Sequence, residues 1–120
     1  MDIAKVYVYD RCSTCRKAIK YLNAKGVSYE TIAIVENPPS KAELQKALAD
    51  SGGELRKLFN TSGQVYREMQ LSKKIKTMDL EEGIDLLSAH GKLVKRPFVA
   101  TEKGTLVGFK EEIWDQFFVS

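Results

Sequence analysis

The stretch Tyr9-Asp10-Arg11-Cys12-Ser13-Thr14-Cys15-Arg16-Lys17 decides how this chain is read. The residues before it, Val6-Tyr7-Val8-Tyr9, are β-branched and aromatic and predict a short strand over Lys5 to Tyr9. The residues after it, Arg16 to Lys25, predict a helix with Ala18, Ile19 and Leu22 on one buried stripe. Both cysteines of the chain therefore fall where a strand hands over to a helix. Cys12 or Ser13 is the expected cap. The first helical turn presents unpaired N–H groups and the positive end of the dipole, and both favour a thiolate over a thiol.

Working outward, Gly26 is expected to stop this helix, and Ser28 to Val35 to form a second strand. Strand, helix and strand with short connections make a βαβ unit, so these two strands should run parallel. Asn37-Pro38-Pro39 breaks the chain. Ser40-Lys41-Ala42-Glu43 is a capping box, followed by the apolar face of Leu44, Ala47 and Leu48, and Ser51-Gly52-Gly53 ends that helix. Glu54 to Phe59 reads as a short helix and Asn60-Thr61-Ser62-Gly63 as a turn. Val65 to Leu71 reads as helix. Asp79 is expected to cap a further helix with Leu80, Ile84 and Leu87 inward, closed by Gly91.

Between about residues 40 and 90 the pattern thus predicts helices alone. Strands return at Arg96 to Thr101 and Thr105 to Phe109 around the turn Glu102-Lys103-Gly104. Lys110 to Phe118 reads as a last helix carrying Ile113, Trp114, Phe117 and Phe118, of which Trp114, Phe117 and Phe118 are read as core. The expected order is β-α-β, a helical insertion, then β-β-α, in one α/β domain over residues 1–120 with a mixed four-stranded sheet.

Composition narrows the function. With 120 residues, 43% hydrophobic and 29% charged, the chain suits a single buried core. No apolar run approaches the roughly 20 residues of a membrane span. Met1-Asp2-Ile3-Ala4-Lys5 goes directly into a strand with no apolar targeting segment, so a cytoplasmic location is expected. The net charge of +3 does not call for direct nucleic-acid binding. Closely spaced cysteines in such a chain point to redox or metal chemistry. A structural zinc ion usually takes four ligands, and His90 is the one histidine, so redox chemistry is the expectation and no bound metal or cofactor is foreseen.

Within the dithiol, Cys12 is the expected nucleophile because it lies at the helix start beside Arg11. Cys15, inside the first turn, is the expected resolving thiol, attacking a Cys12 adduct and releasing the reduced product. Lys95-Arg96-Pro97 is a second constellation. A proline at the head of a strand is tolerated at an edge or as a cis bond, and Arg96 would bring a fixed cation to a thiolate or an oxyanion. Tyr66 and Arg67 are weaker candidates for the same cleft, a surface arginine being the plainer reading. His90, in the last turn of a helix, suits the dipole there.

These motifs amount to a resemblance. Cys12-Ser13-Thr14-Cys15-Arg16-Lys17-Ala18 after a first strand, Asn37-Pro38-Pro39 before a capped helix and Lys95-Arg96-Pro97 before a hairpin resemble the arsenate reductase-like (ArsC/Spx) family. Leu58-Phe59-Asn60-Thr61-Ser62-Gly63 with Tyr66-Arg67 resembles its uncharacterised, regulator-like branch. The resemblance implies a thioredoxin-like fold with a helical insertion, a cis bond at Pro97 and a nucleophile at Cys12. The expected catalytic residues are Cys12, Cys15, Arg96 and Pro97, with Arg11, Ser13, Thr14 and Arg67 as substrate-binding candidates.

The family has three branches. Glutaredoxin-coupled arsenate reductases hold arsenate with two further arginines, whose positions fall here near Asn60 and Phe109, with Lys110 and Arg67 close by. The Spx branch uses C-x-x-C as a thiol-stress switch and binds the RNA polymerase α-subunit, with a glycine where Gly52 stands. A third branch consists of small thiol-dependent oxidoreductases, and the dithiol fits it best. The expected function is a cytosolic thiol–disulfide oxidoreductase, with an Spx-type regulator as the alternative. A small thiol or oxyanion substrate, glutathione, glutaredoxin or thioredoxin as electron donor, a redox protein partner and a monomeric state are the accompanying expectations.

Overall fold

A computed structural model of the chain describes residues 3–118; the reading of Met1-Asp2 lies outside them. The central strand is β1, Ala4–Val8. It is flanked in parallel by β2, Tyr29–Ala33, and antiparallel by β3, Phe98–Thr101, with β4, Gly104–Val107, outside β3. The sheet order is β2-β1-β3-β4, so β2 and β4 are the edges. Helix α1, Ser13–Lys25, connects β1 to the parallel β2, and Gly26 ends it in the left-handed region at φ 68°. β2 is shorter than expected: Asn37 N–H turns back to the Ala33 carbonyl, leaving Ile34 buried just past the strand.

The helical insertion follows. In α2, Lys41–Asp50, Ser40 and Glu43 form the reciprocal capping box. A 3-10 turn, Leu55–Leu58, precedes α3, Gln64–Glu68, and α4, Leu71–Lys74. The single helix expected over Val65 to Leu71 is broken at Gln70, which has φ 55°. The reason is packing. Tyr66 and Leu71 are both buried, whereas five residues of unbroken helix would set them about 140° apart.

Helix α5, Leu80–Ala89, also departs from expectation. Asp79 stands at the cap position but makes no side-chain cap bond. Leu80 is 51% exposed. The helix docks through Ile84 and Leu87, as expected, and through Gly83, where the Leu55 side chain fills the space a Cβ would need. Gly91 does not close α5 in a left-handed turn. It opens a 3-10 turn, Gly91–Leu93, and is pressed on the Ile34 carbonyl so closely that a Cβ would overlap it.

The final helix is α6, Glu111–Phe118. Trp114 is buried with Phe117 and Phe118 partly buried, while Ile113 is 49% exposed. It lies one residue, or about 100°, off the Trp114 stripe.

Alternation along the strands divides the core. Val6, Val99 and Leu106 face α1 and α6, where Ala18, Leu22 and Trp114 complete one cluster. Tyr7 and Phe98 face the insertion and join Leu44, Leu58, Leu87 and Leu93. With helices on both faces of this mixed sheet, the architecture is thioredoxin-like, and the insertion thickens one face. A bridge between Phe59 and Val94, which the sequence pattern did not indicate, ties the insertion to the approach to β3. Asn60 N–H donates to Leu93 and Lys95 N–H to Leu58, at 2.7 and 2.9 Å. These bonds hold Asn60 and Arg96 at the same end of the sheet as the dithiol.

Candidate active site

The site is built where β1 ends. After Val8 the chain turns, with Cys12 N–H donating to the Tyr9 carbonyl at 3.1 Å. Cys12 takes extended dihedrals (φ −100°, ψ 109°) and becomes the N-cap of α1. Its Sγ accepts the backbone N–H of Cys15 at 3.2 Å, the bond a serine or aspartate makes at other helix starts. A charge on this sulfur would therefore meet both a donor and the positive end of the helix. Both thiols are free.

Cys15 is 3% exposed. Burial pushes its thiol up to about 12, and its hydrogen bond to Cys12 and the Cys12 charge add to this. A backbone hydrogen bond from Tyr9 and the nearby Arg96 act the other way. Cys15 thus keeps its proton at neutral pH while the pair is reduced.

Arg96 comes from the loop before β3. Its guanidinium lies 4.9 Å from the Tyr9 ring centroid, and Nη1 donates to the Lys92 carbonyl at 3.4 Å. The Arg96–Pro97 bond is cis, Pro97 is buried, and its carbonyl accepts Gly108 N–H at 2.9 Å. A cavity of about 280 Å³ opens here, lined by Cys12, Thr14, Asn60, Lys95, Arg96 and Lys110 among others. Lys95, Arg96 and Lys110 bring positive charge to it, and no carboxylate is among its lining residues. Cys15 borders a separate cavity of about 300 Å³ with Val8, Tyr9, Arg16 and Ile19. Among the described residues no three His, Cys, Asp or Glu side chains are grouped as metal ligands would be.

Of the site residues read from sequence, Cys12, Thr14 and Arg96 are brought together around the first cavity, while Cys15 and Pro97 are buried and do not line it. Arg11 and Ser13 are exposed and do not line it. Arg67 is exposed on α3 and is also absent from the lining, while Tyr66 is buried against Phe59. His90 is exposed at the end of α5. Lys95 stands in the sequence reading only as part of the Lys95-Arg96-Pro97 motif, and Ser62, Val107 and Gly108 carry no site role there. Lys95 adjoins Arg96 in sequence, and Ser62 lies in the turn 60–63. Nothing local marks Gly108. Asn60 and Phe109, where the resemblance sets the arsenate-binding arginines, both line the cavity and carry no charge. Of the substitute cations near them, Lys110 reaches the cavity and Arg67 does not.

The profile of the ArsC family matches residues 7–117. The uncharacterized protein YusI of Bacillus subtilis (strain 168) is 44% identical over 110 residues, 92% of this chain and 93% of that one. An arsenate reductase of Escherichia coli is 33% identical over 88% of this chain and 73% of its own length. The global transcriptional regulator Spx of Streptococcus mutans is 26% identical over 89% of this chain and 77% of its own. Among solved structures, a protein described as ArsC family related, from Bacteroides fragilis, is 46% identical and superposes with a TM-score of 0.88, covering 95% of this chain and 97% of that one.

Proposed function

The chain belongs to the ArsC family, and from that premise we propose that it is a thiol–disulfide oxidoreductase working through Cys12 and Cys15. In this reading the Cys12 thiolate attacks one sulfur of a substrate disulfide. A new S–S bond forms, the substrate's S–S bond breaks, and the first thiolate leaves and takes up a proton. Cys15 then attacks Cys12, releasing the second substrate thiol and leaving a Cys12–Cys15 disulfide. The pair of electrons passes from the dithiol to the substrate. A thiol donor of the glutathione, glutaredoxin or thioredoxin class returns it.

The observation that carries this reading is the Cys12 sulfur, hydrogen-bonded at a helix N-terminus and opening on a cavity whose charges are all positive. In this reading Arg96, which lines the cavity with Cys12, stabilises the leaving thiolate, and Lys95 and Lys110 attract an anionic substrate. The neutral Asn60 and Phe109 favour a disulfide over arsenate, since a tetrahedral oxyanion needs several fixed donors. The test is reduction of a glutathione mixed disulfide, beside arsenate, by the thiol-charged chain. Turnover should vanish in Cys12→Ser; full activity in that variant overturns the proposal.

A second reading, a redox-switched regulator, is favoured by the similarity to Spx and by the dithiol. Gly52 is exposed at the end of α2, but with φ 74° and its N–H on the Ala49 carbonyl it also serves as a helix terminator. This reading expects capture of the RNA polymerase α-subunit without turnover. Absence of association in both redox states removes it.

A further inference from the structure

We infer that the substrate of this dithiol is an extended acidic polypeptide segment, which pairs its backbone with the outward edge of β4 at Val107 and delivers its disulfide to Cys12. The inference rests on the oxidoreductase reading above and names the substrate class for the same site. It starts from register. Gly108 N–H donates to the Pro97 carbonyl, so this pair stands in a bonded position of the ladder. The antiparallel pairs Phe98–Val107 and Ala100–Thr105 are then the non-bonded ones. The N–H and C=O groups of Thr105 and Val107 consequently point away from β3. Thr105 agrees, because its N–H and Oγ1 both donate to Asp50 Oδ2, at 3.0 and 2.8 Å. Val107 is left as an edge residue with its N–H and C=O directed outward, the arrangement that accepts an added strand.

This edge lies in a groove. A cavity of about 450 Å³ is lined by Lys57, Thr105, Val107, Ile113 and Trp114 among others. It shares Lys95, Val107, Gly108 and Lys110 with the cavity at Cys12, so the two adjoin along the end of β4. Gly108 is the joint. Its φ of 78° turns the chain, and a side chain there would press on the Lys95 stem. Its carbonyl is taken by Trp114 Nε1 at 3.1 Å, so strand pairing ends at Val107 and the guest chain passes on toward the sulfur.

Charge selects the guest. Lys57 is paired with Glu54 at 3.3 Å and Asp50 is occupied by Thr105, but Lys95 and Lys110 have no ion pair among the described residues. An extended segment with Asp or Glu at alternate positions puts its carboxylates on one face, toward these lysines, while its backbone pairs with Val107.

The test uses pre-reduced chain in single turnover. The probes are octapeptides with a central cysteine blocked as a mixed disulfide with 2-mercaptoethanol, carrying either Asp or Lys at alternate positions. The acidic peptide should be reduced about tenfold faster than the basic one. The double variant Lys95→Glu with Lys110→Glu should reverse the preference, a gain that misfolding cannot imitate. N-methylation of the acidic peptide's backbone amides should remove its advantage. Equal rates for the two peptides, or an advantage that survives N-methylation, overturn the docking. If hydroxyethyl disulfide oxidises the dithiol while the peptides show no preference, the oxidoreductase reading stands and the docking alone falls. If neither it nor the peptides react, both fall.

Discussion

At the scale of single residues the two cysteines differ in burial and in surroundings, though only two residues separate them. Cys12 opens on a cavity as a helix cap; Cys15 is enclosed, and its thiol is held up at about 12. Two predictions follow from that difference. In Cys15→Ser the resolving step is missing, so a disulfide substrate should leave a stable adduct on Cys12, detected by intact mass. In the reduced wild-type chain, Cys15 below its raised value gains thiolate about tenfold per pH unit. Alkylation at pH 7 should therefore reach Cys12 first, and modification of Cys15 should accelerate steeply as pH rises, measured by peptide mapping. Equal labelling of both at pH 7 would contradict this. The sequence made both cysteines and Arg96 visible because their chemistry is local. It could not separate Arg67, which turns to solvent, from Lys110, which reaches the cavity.

At the scale of elements, the start of α2 couples the insertion to the sheet. Glu43 closes the capping box with Ser40 N–H at 3.0 Å and also accepts the Tyr7 hydroxyl from β1 at 2.7 Å. Burial alone would raise its carboxyl, but the Ser40 and Tyr7 hydrogen bonds and Lys5 outweigh that and hold it below its ordinary value. A lowered folded value means the native state binds this proton more weakly than the unfolded chain. The contribution is fully present above the ordinary carboxyl value and is lost as pH falls from there through the lowered folded value. Denaturation from pH 7 down to pH 3 should show Glu43→Gln with a flatter acid limb than wild type. Ser40→Ala should cost about 1 kcal/mol in urea unfolding, the usual worth of such a cap. The capping box was legible because it is a four-residue pattern. The break at Gln70 and the exposure of Leu80 were not, because distant partners decide which side chains a helix buries.

At the scale of the molecule, helices on both sheet faces leave one end of the sheet for the site, and the loop holding Arg96 is fastened there by the Phe59–Val94 bridge. Gly91 is a second fastening, against the Ile34 carbonyl. Because the obstacle is backbone, Gly91→Ala should destabilise the chain by about 1–3 kcal/mol or more, read as a lower urea midpoint. The positive lining of the cavity adds a long-range effect. The rate advantage of an anionic over a neutral disulfide should shrink as ionic strength rises, because the screening length falls to about 8 Å at 0.15 M salt.

The sequence by itself determined the strand-to-helix placement of the dithiol, the order of elements and the capped start of α2. Each depends on neighbours within a turn or a strand, where periodicity and capping chemistry act. Tertiary structure alone decided that Lys95 and Lys110, not Arg67, join Arg96 beside Cys12, that Gly91 is held by packing, and that the edge of β4 leads to the sulfur. These depend on contacts between segments far apart in the chain, where the shared core sets which side chain faces the cavity and which backbone edge stays open.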